Sequence, residues 1–253
     1  MPSIQDNREQ WSNHDWSTGG DEWSVGYGGT EAMWAWAILP RISSFLPAGH
    51  VLEIAPGFGR VTQYLLQSCT RLTVVDLTER CIDACRERFA DVDHIEYHVN
   101  DGRSLDMVDD ESVDFVFSWD SLIHAEESVL AAYLEQLGRK LKPGATGAFH
   151  HSNLGSYRDK RTGELTIENA HWRDPGVSAD RVRELCRDAG LRCVVQELIP
   201  WGGPDFTDCV SVFRREKPKS LNRTPVLRND RFFVQIQQKL DGEIRELARN
   251  YRG

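Results

Sequence analysis

The sequence has none of the features that mark a membrane-spanning, exported or nucleic-acid-binding chain. No apolar run reaches the length of a bilayer span or a signal-peptide core, so a soluble, cytoplasmic protein with no membrane partner is expected. Six cysteines (Cys69, Cys81, Cys85, Cys186, Cys193 and Cys209) include no Cys-x-x-Cys pair, which argues against a zinc ribbon or dithiol motif. Several fall on apolar faces and read as reduced core thiols. Thirty basic against thirty-nine acidic residues leave a net charge of −9, and no basic cluster reverses that sign, so nucleic acid is a poor partner. Internal repeats and low-complexity tracts are missing too. What remains, in 253 residues, is enough chain for one α/β domain with additions.

The most informative stretch is Val51-Leu52-Glu53-Ile54-Ala55-Pro56-Gly57-Phe58-Gly59-Arg60. Its first half reads as a buried strand ending at Ala55, and the Pro-Gly-Phe-Gly run as a tight turn. Arg60 to Leu66 then reads as a helix with Val61, Tyr64 and Leu65 on one face. Glycine lets the backbone take positive φ and approach a ligand closely, so strand, turn and helix together suggest a mononucleotide-binding half. Arg71 to Asp76 follows as a second strand, and Asp76 at its carboxyl end stands where a ribose-binding acid belongs.

The remaining elements alternate. Thr78 caps a helix from Glu79 to Phe89, and Ile95 to Val99 forms a third strand that ends in Asn100-Asp101-Gly102. Val113 to Ser118 is the fourth strand, Ser128 to Leu141 a helix, and Ala145 to Asn153 the fifth strand. Ser178 caps a helix that stops at Gly190, and the strands Leu191 to Ile199 and Asp208 to Phe213 complete a seven-stranded sheet. Arg231 to Tyr251 is helical by period, and its apolar stripe suggests packing on the core or on a second subunit, a homodimer.

Two segments resist periodic reading. Residues 1–35 are polar and glycine-bearing but carry Trp11, Trp16, Trp23 and Trp34, with a helix starting only at Thr30 and running to Ile42. This arm either packs on the core or closes as a lid, with Trp23 and Tyr27 as aromatic walls. The long loop from Tyr157 to Ser178 offers Trp172 and Arg173 to a substrate cleft. The expected organisation is therefore an arm and helix over residues 1–44, a core over 45–215, and a linker with a helix over 216–253.

In an open parallel sheet the ligand crevice lies beyond the carboxyl ends of the strands. Trp119-Asp120-Ser121-Leu122-Ile123-His124 after the fourth strand and His150-His151-Ser152-Asn153 on the fifth should both face it. If the chain turns helical directly after Trp119, Asp120 and His124 share a face at i and i+4. Asp120, His124, His150 and His151 form the densest polar group and are the candidate catalytic residues. Asp120, His150 and His151 are also the candidate metal ligands, although magnesium prefers oxygen donors.

The Glu53-x-Ala55-x-Gly57-x-Gly59 turn, Asp76, Asp101-Gly102 and the strand order together resemble the class I S-adenosylmethionine-dependent methyltransferases, with Ala55 in place of a first glycine. The resemblance covers roughly residues 45–215 and implies a Rossmann-like, mostly parallel sheet with flanking helices. It implies S-adenosyl-L-methionine as cofactor, held by Glu53, Ala55, Gly57, Gly59, Asp76, Asp101 and Gly102, with Tyr27 and Trp119 beside it. The arm, the turn and the His-His-Ser-Asn strand end are also similar to bacterial saccharide O-methyltransferases, mycobacterial mannoside O-methyltransferases among them. That likeness implies a hydroxyl of a small sugar or short saccharide as acceptor, and Mg2+ as a second cofactor. A sulfonium methyl is already electrophilic, so positioning alone supplies about 7–11 kcal/mol. A sugar hydroxyl needs a base or a metal besides. A small-molecule N-methyltransferase and a non-catalytic cofactor-binding protein remain as alternatives.

Overall fold

Val51, Leu52 and Ile54 put apolar side chains on both faces of one strand, a pattern that suits a strand covered from both sides. The computed structural model, which describes residues 3–216 and 223–249, sets that strand in the middle of one sheet. Strand β1 (Ala48–Ile54) pairs in parallel with β2 (Cys69–Asp76) and β4 (Val113–Ser118), with Val51 opposite both Leu72 and Phe115. Beyond β2 lies β3 (Ile95–Val99), and beyond β4 lies β5 (Leu141–Ser152). The next strand, β7 (Asp208–Arg214), runs antiparallel between β5 and β6 (Arg192–Ile199). The sheet is thus Rossmann-like, and its order reverses between β1 and β4, which opens a crevice at the carboxyl ends of those two strands.

The sheet has eight strands, not the seven expected. The extra one, β8 (Val226–Arg228), pairs in parallel with β6 at the edge and exposes all three side chains. A strand without a buried face leaves no alternation to read. The expected helix after the glycine turn is also shorter than its spacing suggests. Only Thr62–Leu65 is α-helical, a 3-10 turn follows over Leu66–Ser68, and β2 begins at Cys69. Elsewhere the caps form as read: Thr78 Oγ1 accepts the Cys81 N–H ahead of the helix Glu79–Arg88, and Ser178 Oγ accepts that of Arg181 ahead of Ala179–Asp188. Helix Glu127–Lys140 buries Leu130, Leu134 and Leu137 in one cluster with Leu52 and Val116 of the sheet.

The arm holds a helix that periodicity did not reveal. Ile4–Asn13 is started by a capping box, with Asp6 N–H donating to Ser3 Oγ and Ser3 N–H to Asp6 Oδ2, and none of its residues is buried. A 3-10 segment, Asp21–Tyr27, leads into the expected helix from Thr30 to Ile42, wound as a π-helix over Met33–Ile38. The last helix, Phe232–Arg249, buries Phe232 and Ile236 in the cluster that contains Tyr27 and Ile38. Tyr251, at the expected end of that helix, and the linker residues 217–222 lie outside the described residues. No helix among the described residues is long and apolar enough to cross a membrane.

Candidate active site

The crevice has a floor built from the chain reversal after β1. Ala55, Gly57 and Gly59 all have left-handed backbones, with φ of 58°, 58° and 78°. At Gly59 the conformation and the space both require glycine, because a Cβ would sit 2.6 Å from the Phe89 ring. Ala55 is pinned on both sides: its N–H donates to Val75 O at 2.7 Å, and its carbonyl accepts from Ser121 Oγ at 2.8 Å. Glu53, buried in β1, accepts from Thr62 Oγ1 at 2.7 Å, and burial pushes its carboxyl up to about 7. Asp76 at the end of β2 accepts from Gly57 N–H and Thr78 N–H, and burial pushes it up to about 6. Both acids line a cavity of about 510 Å3. Asp101 lies outside that lining. Its exposed carboxylate accepts the N–H groups of Ser104 and Arg103, which keeps its pKa low and makes it a turn residue, while Gly102 does line the cavity.

The roof comes from the arm. Ile4, Asn7 and Trp11 fall at i, i+3 and i+7 of the first helix, so they share the face that covers the cavity. Asn7 Nδ2 donates to the carbonyl of His124 at 3.1 Å, and the Trp11 ring lies 5.5 Å from the His124 ring. Trp16 stacks on Phe58 at 4.5 Å, above the glycine turn. Arg80 fixes the arm from below by donating to the carbonyls of Ser12 and His14. Trp23 and Trp172 stand at the rim, each 40% exposed. With Trp119 and Trp201, six of the chain's eight tryptophans line this one cavity, so the aromatic content is concentrated at the site. Ile4, Asn7, Trp11 and Trp16 were missed as site residues, and the i, i+3, i+7 spacing behind Ser3-x-x-Asp6 was the signal for the first three.

Beneath the acceptor side runs a buried chain of alternating charge. Arg60 pairs with Asp120 at 2.9 Å, Asp120 with His150 Nδ1 at 3.0 Å, and His150 Nε2 with Asp208 at 3.1 Å. Arg173 closes the series 2.8 Å from Asp208, an ion pair whose angles do not make a hydrogen bond. Burial opposes the charge on His150, but its two carboxylate partners outweigh that and raise it to about 9, which favours the imidazolium at neutral pH. Burial opposes the charge on Asp120 as well, and His150 and Arg60 outweigh it and hold the carboxyl low. Arg60 also donates to Ser24 Oγ in the arm at 2.8 Å, which ties the roof to the network.

Several sequence expectations are corrected by this geometry. Asp120 has φ of 61°, which no helix tolerates, and the chain makes only a 3-10 turn over Leu122–His124. Asp120 and His124 therefore share the cavity lining but no helix face. His150 and His151 do not open into the crevice. Consecutive strand residues point to opposite faces, so His150 enters the charge network while His151 meets Ser211 Oγ at 2.7 Å, and both are fully buried outside the lining. Burial lowers His151 to about 4. The proposed metal set of Asp120, His150 and His151 is thus split across two faces of β5. Among the described residues no group of three or more His, Cys, Asp or Glu could hold a metal ion. Tyr27 and Arg173 lie outside the lining too, Tyr27 because the C-terminal helix covers it through Phe232 and Phe233. His124 is different: it lines the cavity, its Nδ1 has no hydrogen-bond partner, and burial, with Arg173 nearby, lowers it to about 4.

A Rossmann-like sheet in which β7 alone runs antiparallel, with a glycine turn over a buried acid, is the fold of the S-adenosylmethionine-dependent methyltransferases. Residues 51–144, from within β1 to the start of β5, match a family described as a methyltransferase domain. Over 75 residues it is 32% identical to a ribosomal RNA small subunit methyltransferase A of Geobacter metallireducens, covering 28% of this chain and 27% of that protein. The chain thus spans about a quarter of the length of that curated relative. Among solved structures, a phosphoethanolamine N-methyltransferase of Haemonchus contortus in complex with phosphoethanolamine and S-adenosylhomocysteine aligns with a TM-score of 0.59 at 16% identity, over 97% of this chain and 56% of that one. An S-adenosylmethionine-dependent methyltransferase of Mesorhizobium loti aligns with a TM-score of 0.55 at 17% identity, over 73% and 98%. At these identities the solved structures speak for the fold.

Proposed function

We propose that this protein transfers the methyl group of S-adenosyl-L-methionine to a hydroxyl of a small acceptor held under the tryptophan-lined arm. The observation that carries the reading is the floor: a left-handed turn at 55–59 between buried Glu53 and Asp76, at the switch point of the sheet. Arg60 is the sole Arg or Lys in the lining and is already paired, so the cavity suits an adenosyl ligand without phosphates better than a dinucleotide. Its volume falls within the roughly 300–1,000 Å3 typical of ligand pockets.

When bound, the donor supplies a sulfonium methyl that needs no further activation. The chain's own work is the rest. Asp76 is available to the ribose hydroxyls, and the glycine turn lets the backbone pass close beneath the amino-acid part. Trp11, Trp16 and Trp23 exclude water. Arg60 and His150 hold the Asp120 carboxylate at the acceptor side in one orientation. His124, a neutral ring in the lining, takes the proton that an acceptor hydroxyl loses. A sugar or mannoside hydroxyl, implied by the sequence resemblance, is one acceptor of this class. The candidate magnesium ligands do not converge on the cavity: His150 and His151 are fully buried and turn to opposite faces of β5, toward Asp208 and Ser211. Calorimetry with S-adenosylhomocysteine tests the reading: saturable binding to the wild-type chain is expected, and its absence overturns the assignment.

A further inference from the structure

Resting on that methyl-transfer reading, we infer that the acceptor is an uncharged hydroxyl compound with one flat, apolar face, the chemistry shared by a phenol ring and by the CH face of a neutral sugar. The argument is one of charge. Four side chains that line the cavity carry formal charge: Glu53, Arg60, Asp76 and Asp120. Glu53 and Asp76 belong to the floor. On the acceptor side, Arg60 is engaged by Asp120 and Ser24, and Asp120 by Arg60 and His150. No lining carboxylate is left for an ammonium group, and no lining cation for a phosphate or carboxylate.

The neutral groups agree. His124 and His171 both line this side, and burial, reinforced by Arg173, lowers both, so they meet a ligand as uncharged rings. Arg173 itself is 1% exposed, paired with Asp208 and outside the lining, so an anion cannot reach it. Tryptophan faces alone would attract a cation. What decides against one is that Asp120, the carboxylate on the acceptor side, already accepts from Arg60 and Tyr27 and is paired with His150, so an ammonium would find no uncommitted counter-charge there. A flat apolar face suits the same rings without that penalty. In the transfer, the acceptor oxygen's lone pair bonds the methyl carbon, the carbon–sulfur electron pair returns to sulfur, and the hydroxyl proton passes to His124.

The test uses the full chain saturated with S-adenosylhomocysteine and titrates four probes by calorimetry: p-cresol, methyl α-mannoside, benzylamine and phenyl phosphate. At least one neutral probe should bind, with both charged probes weaker by about tenfold or more. Whichever of p-cresol and the mannoside binds tighter identifies the source of the flat face. Trp172→Ala and Trp23→Ala should each weaken the neutral probe by about fivefold while leaving cofactor affinity within about twofold. Binding of benzylamine or phenyl phosphate as tight as that of the neutral probes overturns the inference. So does failure of both neutral probes to bind a chain that holds the cofactor product. If S-adenosylhomocysteine itself does not bind, the underlying methyl-transfer reading falls instead.

Discussion

The floor and the roof of the cavity are held together in opposite ways. In the floor, most partners are near in sequence: Glu53 meets Thr62 nine residues on, and Gly57 meets Asp76 nineteen residues on, with Ser121 on Ala55, 66 positions away, as the exception. On the acceptor side, Asn7 reaches His124 across 117 positions, Arg60 reaches Asp120 across 60, and His150 reaches Asp208 across 58. The floor is one strand–turn–strand unit that can form locally. The acceptor side exists only when β4, β5, β7, the arm and the long loop have all docked. Damage to the floor should therefore appear as lost cofactor affinity, and damage opposite it as lost stability or turnover.

The largest effect is expected where the charge network is cut. Replacing His150 by glutamine leaves Asp120 and Asp208 buried with fewer partners and should cost about 3–5 kcal/mol in urea unfolding at pH 6. The pH dependence has a definite sign. His150 is raised from 6.5 to about 9, so its contribution is complete below pH 6.5 and is lost as pH rises through about 9. That alkaline loss should be on the order of 3 kcal/mol in the wild type and should vanish in His150→Gln. Wild-type stability that stays level between pH 6 and pH 10 would show that the imidazolium does not hold the acceptor side together.

Next comes His124. Its low basicity in a buried site places it at the weak end of proton acceptors, so His124→Gln should lower kcat by about 100-fold, the lower bound for a positioned base. Affinity for S-adenosylhomocysteine should stay unchanged, since the ring belongs to the acceptor side. A kcat within threefold of wild type would move the proton elsewhere. The matching change in the floor is Asp76→Ala, which should weaken cofactor binding by about 10–100-fold, the loss of a hydrogen bond to a charged group. If Asp76→Ala instead left affinity intact and lowered only kcat, the division between floor and acceptor side would fail.

The same difference explains what could be read from the sequence. Glu53, Gly57, Gly59 and Asp76 were legible because a strand–turn–helix pattern fixes their neighbours within a few dozen residues. The β5 histidines were legible as residues but not as roles. That His150 meets Asp120 and Asp208 while His151 faces Ser211 depends on which side of β5 packs against which strand. The arm helix was missed because no stripe of buried side chains marks it: only the Ser3–Asp6 box and the Ile4, Asn7, Trp11 face betray it. Asp120 misled for a local reason, since its left-handed backbone breaks the helical register that would have aligned it with His124.

The finest test lies inside the floor itself, at Ala55. An alanine there looks like the smallest departure from glycine, but its φ of 58° puts a Cβ in the left-handed region, at a cost of roughly 1–2 kcal/mol. The strain persists because both polar groups of the residue are committed, the N–H to Val75 O and the carbonyl to Ser121 Oγ. Glycine would relieve it while adding backbone freedom to the unfolded chain, worth about 0.4–1 kcal/mol in the opposite direction. Ala55→Gly should therefore stabilise the fold by about 0.5–1 kcal/mol, read as a higher urea midpoint with an unchanged slope. Because the carbonyl of Ala55 is the point where Ser121, two residues beyond Trp119, is anchored to the turn, a gain in stability accompanied by slower turnover would mean that the methyl helps set the distance between floor and acceptor side. A lower midpoint would mean that the Cβ makes contacts worth more than its strain.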